Sequence, residues 1–360
     1  MTEFVQDGLR PYLDWQFEYP PLAIVPIALG GAFGNDEVTY PIVFGLLMLV
    51  CLLALQRWVG GIPAHPPRAA AARWACVPAP LLLGAMIRTH YDLLPAAIVA
   101  GALLLFARGR TTWAFAALGV GTVVKLTPVM LVPIAVLWLI GRGERDRVAP
   151  GVAAFVVVVA AVCLPFWGDG FLEQFRFHLD RPVQIESTAA TVLSILGDSY
   201  VTGTEATPDR FKSNGLAGGY ADGVQGLFTA ALGLTYLALL VLSARGGDVR
   251  RLTLLALATT VAFIALGKVL SPQYMVWLLP FAALAWAWGD RAIALLCAAA
   301  ALVTQIEFPS RYFDVVEQQP FATALVGVRN GILLVLLAVT VATVAGSGRS
   351  RTPAAAPRSG

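Results

Sequence analysis

The chain has 360 residues, 58% hydrophobic and 13% charged, with a mean hydropathy of +0.73. A soluble chain carries roughly 25% charged residues, so this composition excludes a soluble globular protein. The formal net charge of +3 gives no ground for a nucleic-acid partner, and the chain reads as an all-α polytopic membrane protein.

The first residues show neither the basic start nor the early apolar run of a signal peptide. They lead into Gly8-Leu9-Arg10-Pro11-Tyr12-Leu13-Asp14-Trp15-Gln16-Phe17-Glu18-Tyr19-Pro20-Pro21. Asp14 and Glu18 stand four residues apart among aromatic rings. A carboxylate near apolar rings has a raised pKa and accepts a proton at neutral pH. A solvated interfacial loop with aromatic anchors accounts for the same residues. Proline suits a helix start, and the run Leu22–Gly34 that follows is too short to span. It is expected as a juxtamembrane helix on the outer surface.

Spans are expected near 38–58, 74–88, 93–107, 112–124, 127–141, 148–167, 224–244, 251–267, 272–288, 291–306 and 322–346. Several are short, which helices buried among others tolerate. The breaks between them carry the chemistry. Arg88-Thr89-His90-Tyr91-Asp92 is a charged knot; ionisable residues at a membrane are functional candidates, and a surface turn with an Arg–Asp pair is the alternative. Lys125-Leu126-Thr127-Pro128 splits a long apolar stretch into two half-helices. A lone lysine there calls for an anion such as a phosphate or carboxylate, unless it snorkels.

The longest polar loop is Gly168–Asp222. Its first part holds Arg176, His178, Arg181, Gln184 and Glu186. These arginines suit bidentate phosphate binding, or the segment is an amphipathic interfacial helix. The later part, Thr202–Gly219, is rich in Gly, Thr, Asn and Asp and reads as a flexible flap. Lys268, Ser271 and Gln273 sit at a proline-opened helix N-terminus, which favours anions, or form a tight turn. Glu307 and Arg311 follow on another outer turn. Arg329, inside the last span, must face the interior and be paired.

The connections 57–73, 108–110, 142–147, 245–251, 290–291 and 347–360 hold 15 of the 25 Lys and Arg residues but 4 of the 22 acids. The positive-inside rule makes that face, and the C-terminus, cytoplasmic. The breaks above then share the acid-rich outer face and form a cavity for an anionic, membrane-delivered substrate. Residues 1–346 are expected as one transmembrane catalytic domain with external loops near 1–37 and 168–222, and 347–360 as a disordered cytoplasmic tail. Residues 1–20 would lie outside with no span to carry them there, which predicts another in-frame span encoded upstream of Met1; a stop codon directly before Met1 would refute it. Cys51, Cys76, Cys163 and Cys297 lie in apolar runs without metal spacing. His65, His90 and His178 are far apart, so no metal is expected. No GxxxxGK[ST] or GxGxxG nucleotide motif is present.

Several of these segments, taken together, are familiar. The Gly8-to-Asp14 and Glu18-Tyr19-Pro20-Pro21 opening, the Arg88…Asp92…Pro95 turn, the Lys125-to-Pro128 break, the Arg181-Pro182…Gln184-Ile185-Glu186 loop and the Gly267-to-Gln273 turn resemble the family-87 glycosyltransferases of actinobacteria. That family is related to polyprenyl-phosphate-mannose-dependent mannosyltransferases. The resemblance covers about residues 8 to 335 and implies a GT-C-like bundle of about 11 transmembrane helices with an external juxtamembrane helix. It also implies an inverting, metal-independent and cofactor-free transfer of a sugar, mannose foremost. The donor would be a polyprenyl-phosphate carrier, and the acceptor a glycolipid or polysaccharide at the outer face of the plasma membrane. An external carboxylate would deprotonate the acceptor while cations hold the lipid phosphate. The family's favoured base, an Asp followed closely by a Tyr, has no matching position here. Asp14 and Glu18 are the nearest acids, which leaves the base open. Tyr19, Arg88, Asp92, Lys125, His178, Arg181, Glu186, Lys268, Ser271, Gln273 and Arg311 are the residues expected to bind substrate. The other reading is a transporter or flippase of a lipid-linked or anionic substrate. It calls for an internal repeat with matching broken helices, which the sequence lacks.

Overall fold

The computed structural model describes residues 8–346 except 208, 210 and 212. The tail expected at 347–360 lies outside the described residues. A 3₁₀ turn, Pro21–Ala23, and helix α1 (Ile24–Gly30) stand where a juxtamembrane helix was expected. Proline opens it because it fixes φ and has no N–H to leave unpaired. Helix α2 (Thr39–Val59) follows. The span expected over 74–88 is corrected: the chain there forms α3 (Pro66–Ala75), α4 (Ala79–Leu83) and α5 (Met86–Thr89), none long enough to cross. Pro78 and Pro80 withhold two backbone donors. Gly84 breaks the run at φ +48°, where a Cβ would lie 1.9 Å from the Gln305 side chain.

Helices α6 (Leu93–Ala107), α7 (Thr111–Val124), α8 (Leu131–Gly141) and α9 (Val148–Cys163) come next, with a 3₁₀ turn, Thr127–Met130, joining α7 to α8. Beyond a cap described below lie α12 (Ala221–Ser243), α13 (Val249–Leu266), the 3₁₀ segment Pro272–Leu278, α14 (Leu279–Trp288), α15 (Arg291–Glu307), α16 (Tyr312–Val316) and α17 (Pro320–Gly346). By length and apolarity five stretches among the described residues are able to cross a membrane: Thr39–Val59, Arg145–Phe166, Ala221–Ser243, Val249–Leu266 and Pro320–Gly346. Helix α13 is the hub, with 78% of its apolar window buried against 6% for the stretch around α9. Helix α6 is apolar on every side and buries Pro95, Val99, Leu103 and Phe106 among its neighbours, as a helix inside a bundle does.

The cap comprises α10 (Asp169–Asp180), β1 (Val183–Gln184), α11 (Thr188–Leu196), β2 (Tyr200–Thr202) and β3 (Gly215–Ala217). The strands form an antiparallel sheet in the order β1-β3-β2, with Val183 opposite Leu216 and Leu216 opposite Val201. This corrects two expectations. The fold is mostly helical but not all-α, and the segment expected as a flap contributes β3 and the last residue of β2. A second core of Val183, Ile185, Leu193, Leu216, Val315 and Val326 holds the sheet and α11 against α16 and α17. Ser187 caps α11 by accepting the Ala190 N–H at 3.1 Å, and Gly197 ends it in the left-handed region, as such residues commonly do.

Helix α10 realises the amphipathic alternative, burying Phe171, Gln174 and Phe177 at a three-residue spacing. The N-terminal segment lies across it. Tyr12 donates its hydroxyl to the Tyr19 carbonyl and packs edge-on against Phe17, Phe166 and Phe171. A Cβ on Gly170 would stand 1.8 Å from the Tyr12 carbonyl oxygen. Gly170→Ala is therefore expected to push residues 12–19 off α10 and cost about 1–3 kcal/mol, as overpacking does. A thermal melt of the detergent-solubilised protein checks this; an unchanged midpoint would show that the segment is not seated there.

Candidate functional site

Four of the interruptions seen in sequence converge. Asp92 precedes α6 and is 1% exposed. Lys125 follows the last residue of α7, where the backbone turns extended. Its Nζ lies 2.7 Å from Asp92 Oδ1, and Trp277 Nε1 donates to the same oxygen at 2.7 Å. The rings of Tyr91, Trp277, Tyr274 and Tyr19 surround the ammonium at 5.0, 5.3, 5.7 and 5.9 Å, within cation–π range. Tyr274 stacks on Trp277 with centroids 4.2 Å apart. Lys125 is thus no lone cation: its anion is Asp92. The expected Arg88–Asp92 turn pair is also corrected, since a buried carboxylate takes the cation that shares its burial.

The cap supplies a second corner. His178 donates Nε2–H to the Glu18 carbonyl at 3.0 Å. Lys268 donates to the carbonyls of Leu179 and of Arg181, the latter at 2.9 Å. It therefore closes the C-terminus of α10, where carbonyls lack helical partners, and among the described residues its third ammonium hydrogen has no acceptor. Burial lowers the Lys268 pKa, and the nearby Arg181 charge adds to that. Arg181 lies over the Phe177 ring at 5.7 Å and donates to the Ser213 hydroxyl. Among the described residues it has no carboxylate at ion-pair distance. Gln184 ties the corner together. Its N–H donates to the Lys268 carbonyl at 2.9 Å, its Oε1 accepts from Leu270 N–H at 3.2 Å, and its Nε2 donates to Glu186 at 2.7 Å.

Behind it lies a buried ionic cluster. Arg329 Nη1 stands 3.8 Å from Glu186 Oε1 and 3.7 Å from Glu307 Oε2, all three residues being about 1% exposed. Arg329 also donates to the Glu186 carbonyl, and Asn330 donates to that carbonyl and to the Thr191 hydroxyl. Arg329 therefore faces inward and is paired, as expected for its depth. Two carboxylates share this one arginine. Burial, and then the Glu307 charge, push the Glu186 carboxyl up to about 8 against the pull of Arg329.

The sequence of glycosyltransferase family 87 matches residues 17–272, well over half of the chain. The chain belongs to that family. No curated protein matches it. Among solved structures it is similar to ArnT from Cupriavidus metallidurans in the apo state, with a TM-score of 0.50 and 15% identity over 96% of this chain and 71% of that one. At that identity the likeness speaks for the fold alone, and it agrees with the GT-C-like bundle that the resemblance implied. Family and fold together make this chain a membrane glycosyltransferase.

Within this family-87 chain, Glu18, Tyr19, Asp92, Lys125, His178, Arg181, Glu186 and Lys268 are drawn together. Ser271 accepts the Tyr274 N–H at 2.9 Å beside them, and Gln273 is half-buried on the same turn. Three expected site residues turn elsewhere. Asp14 is exposed and paired with Arg10 at 3.4 Å, and the Arg10 backbone N–H holds its carboxyl below the usual range. Arg88 lays its Cγ and Cδ against Gly45 of α2. Arg311 turns to Asp314 at 3.9 Å and over the Phe321 ring at 5.2 Å. Sequence reading missed Tyr91, Tyr274 and Trp277 as walls of the site. Tyr274 and Trp277 stand three apart after Pro272, which places both on one side of the turn. Among the described residues no three His, Cys, Asp or Glu side chains gather as a metal site.

Proposed function

We propose that this glycosyltransferase moves mannose from a polyprenyl-phosphate carrier to a glycolipid or polysaccharide acceptor at the outer face of the plasma membrane. The observation that carries the reading is Arg181, which among the described residues has no carboxylate at ion-pair distance, beside the ammonium of Lys268. A phosphate bridging the two supplies the missing anion, and a guanidinium fork suits phosphate oxygens. The acceptor hydroxyl attacks the anomeric carbon from the face opposite the phosphate. The new C–O bond forms as the bond to the phosphate oxygen breaks. The electron pair leaves on that oxygen, where Arg181 and Lys268 stabilise it, and the configuration inverts. The hydroxyl proton passes to Glu18, which adjoins this corner whereas Asp14 does not. The scheme uses no metal and no cofactor.

Membranes containing the full chain and labelled polyprenyl-phosphate-mannose test it. Label should leave the carrier. Arg181→Gln should slow that by roughly 10–100-fold, the worth of a hydrogen bond to a charged group. Glu18→Gln should slow it by about 10²–10⁴-fold, the contribution of a general base, and Asp14→Asn should leave it unchanged. Label that crosses the bilayer on an intact carrier would make the protein a flippase instead.

A further inference from the structure

We propose that the groove between α2 and the stretch from Pro80 to Leu93 binds one anionic phospholipid, its phosphate held by Arg88. The groove has a volume of about 370 Å³ and is walled by Ile42, Leu46, Leu49, Leu52 and Pro80, with Gly45 as its floor. Ile42, Leu46 and Leu49 are 57%, 58% and 47% exposed, so the bundle itself leaves this apolar face uncovered. A Cβ on Gly45 would stand 3.6 Å from Arg88 Cγ. The aliphatic stem of Arg88 therefore lies against α2, and Arg88 is itself part of the groove's lining.

That guanidinium is exposed, and among the described residues it has no hydrogen bond and no acid at ion-pair distance. Lys125, Lys268 and Arg181 turn into the site, whereas Arg88 lies against α2. An anion that pairs with it comes from outside the described residues. From Ile42 to Leu52 the helix rises about 15 Å, half of a hydrocarbon core of about 30 Å. The groove is thus one leaflet deep, the length of a phospholipid chain. None of Tyr19, Tyr91, Lys125, Lys268 or Arg181 lines it. A carrier whose phosphate must reach Lys268 and Arg181 is therefore not its occupant. This exclusion of the carrier rests on the donor seat of the proposed function.

Native mass spectrometry of the full purified chain, exchanged with phosphatidylglycerol or with phosphatidylcholine of the same acyl chains, tests the site. The wild type should retain one phosphatidylglycerol at least tenfold more often than phosphatidylcholine. Arg88→Gln should abolish that preference. Leu49→Trp, which fills the groove and keeps the charge, should abolish retention and gives the reading if Arg88→Gln fails to fold. Equal retention of the two lipids by the wild type, or undiminished preference in Arg88→Gln, would overturn the proposal. So would displacement of phosphatidylglycerol by an equimolar polyprenyl phosphate, which would make the groove the carrier's seat.

Discussion

Lys125→Met is expected to destabilise the protein by about 3–5 kcal/mol, the usual cost of leaving one partner of a buried ion pair alone. Asp92 would keep its Trp277 hydrogen bond but lose the charge that offsets its burial. Adding Asp92→Asn should restore most of the loss, because the amide oxygen still accepts from Trp277 and no uncompensated charge remains. Transfer activity should stay low in the double variant, since the four rings are organised around the ammonium. Denaturation midpoints of the single and double variants in detergent give the coupling directly. A cost below about 1 kcal/mol for Lys125→Met, the range of exposed pairs, would show that the pair does not hold the start of α6 to the end of α7.

Arg329→Met should be at least as damaging. It leaves Glu186 and Glu307 together in the interior with no cation, and it removes a donor from the Glu186 carbonyl. Because Glu186 sits between β1 and α11, the expected consequence is release of the cap, read as new protease cleavage within 168–222. The same cluster predicts a pH response. The Glu186 carboxyl titrates near 8 in the fold against 4.5 ordinarily, so the fold favours its protonated form. That contribution is complete below about 4.5 and is withdrawn as pH rises through about 8. Thermal stability should therefore fall toward alkaline pH. Glu186→Gln, which stays neutral and keeps a partner for Gln184, should flatten that slope; an equally steep slope in the variant would assign the response to another group.

The interruptions of the apolar pattern were legible because their causes are local. Pro20 and Pro21 open a helix, the Lys125-to-Pro128 break stops one, and Pro272 starts the segment that carries Tyr274 and Trp277. The partners across those breaks were not legible. Asp92 is 33 residues from Lys125 and 185 from Trp277, and Arg329 is 143 from Glu186. Residue spacing says nothing about such distances. The segment 74–88 reads as a span because hydropathy registers apolar composition but not missing backbone donors. The later cap reads as a flap because its strand β3 pairs with Val183 and Gln184, far back in the chain.

Composition by itself determined that this chain lives in a membrane, and its motifs placed it in its family, since both are properties of residues one at a time or in short runs. Only the tertiary structure decided which charges are neutralised within the bundle and which remain for a ligand. A buried charge must find its opposite, and packing chooses which one is near. Packing gave Asp92 to Lys125 and the shared Arg329 to Glu186 and Glu307. It left Arg181 facing the site and Arg88 exposed against α2.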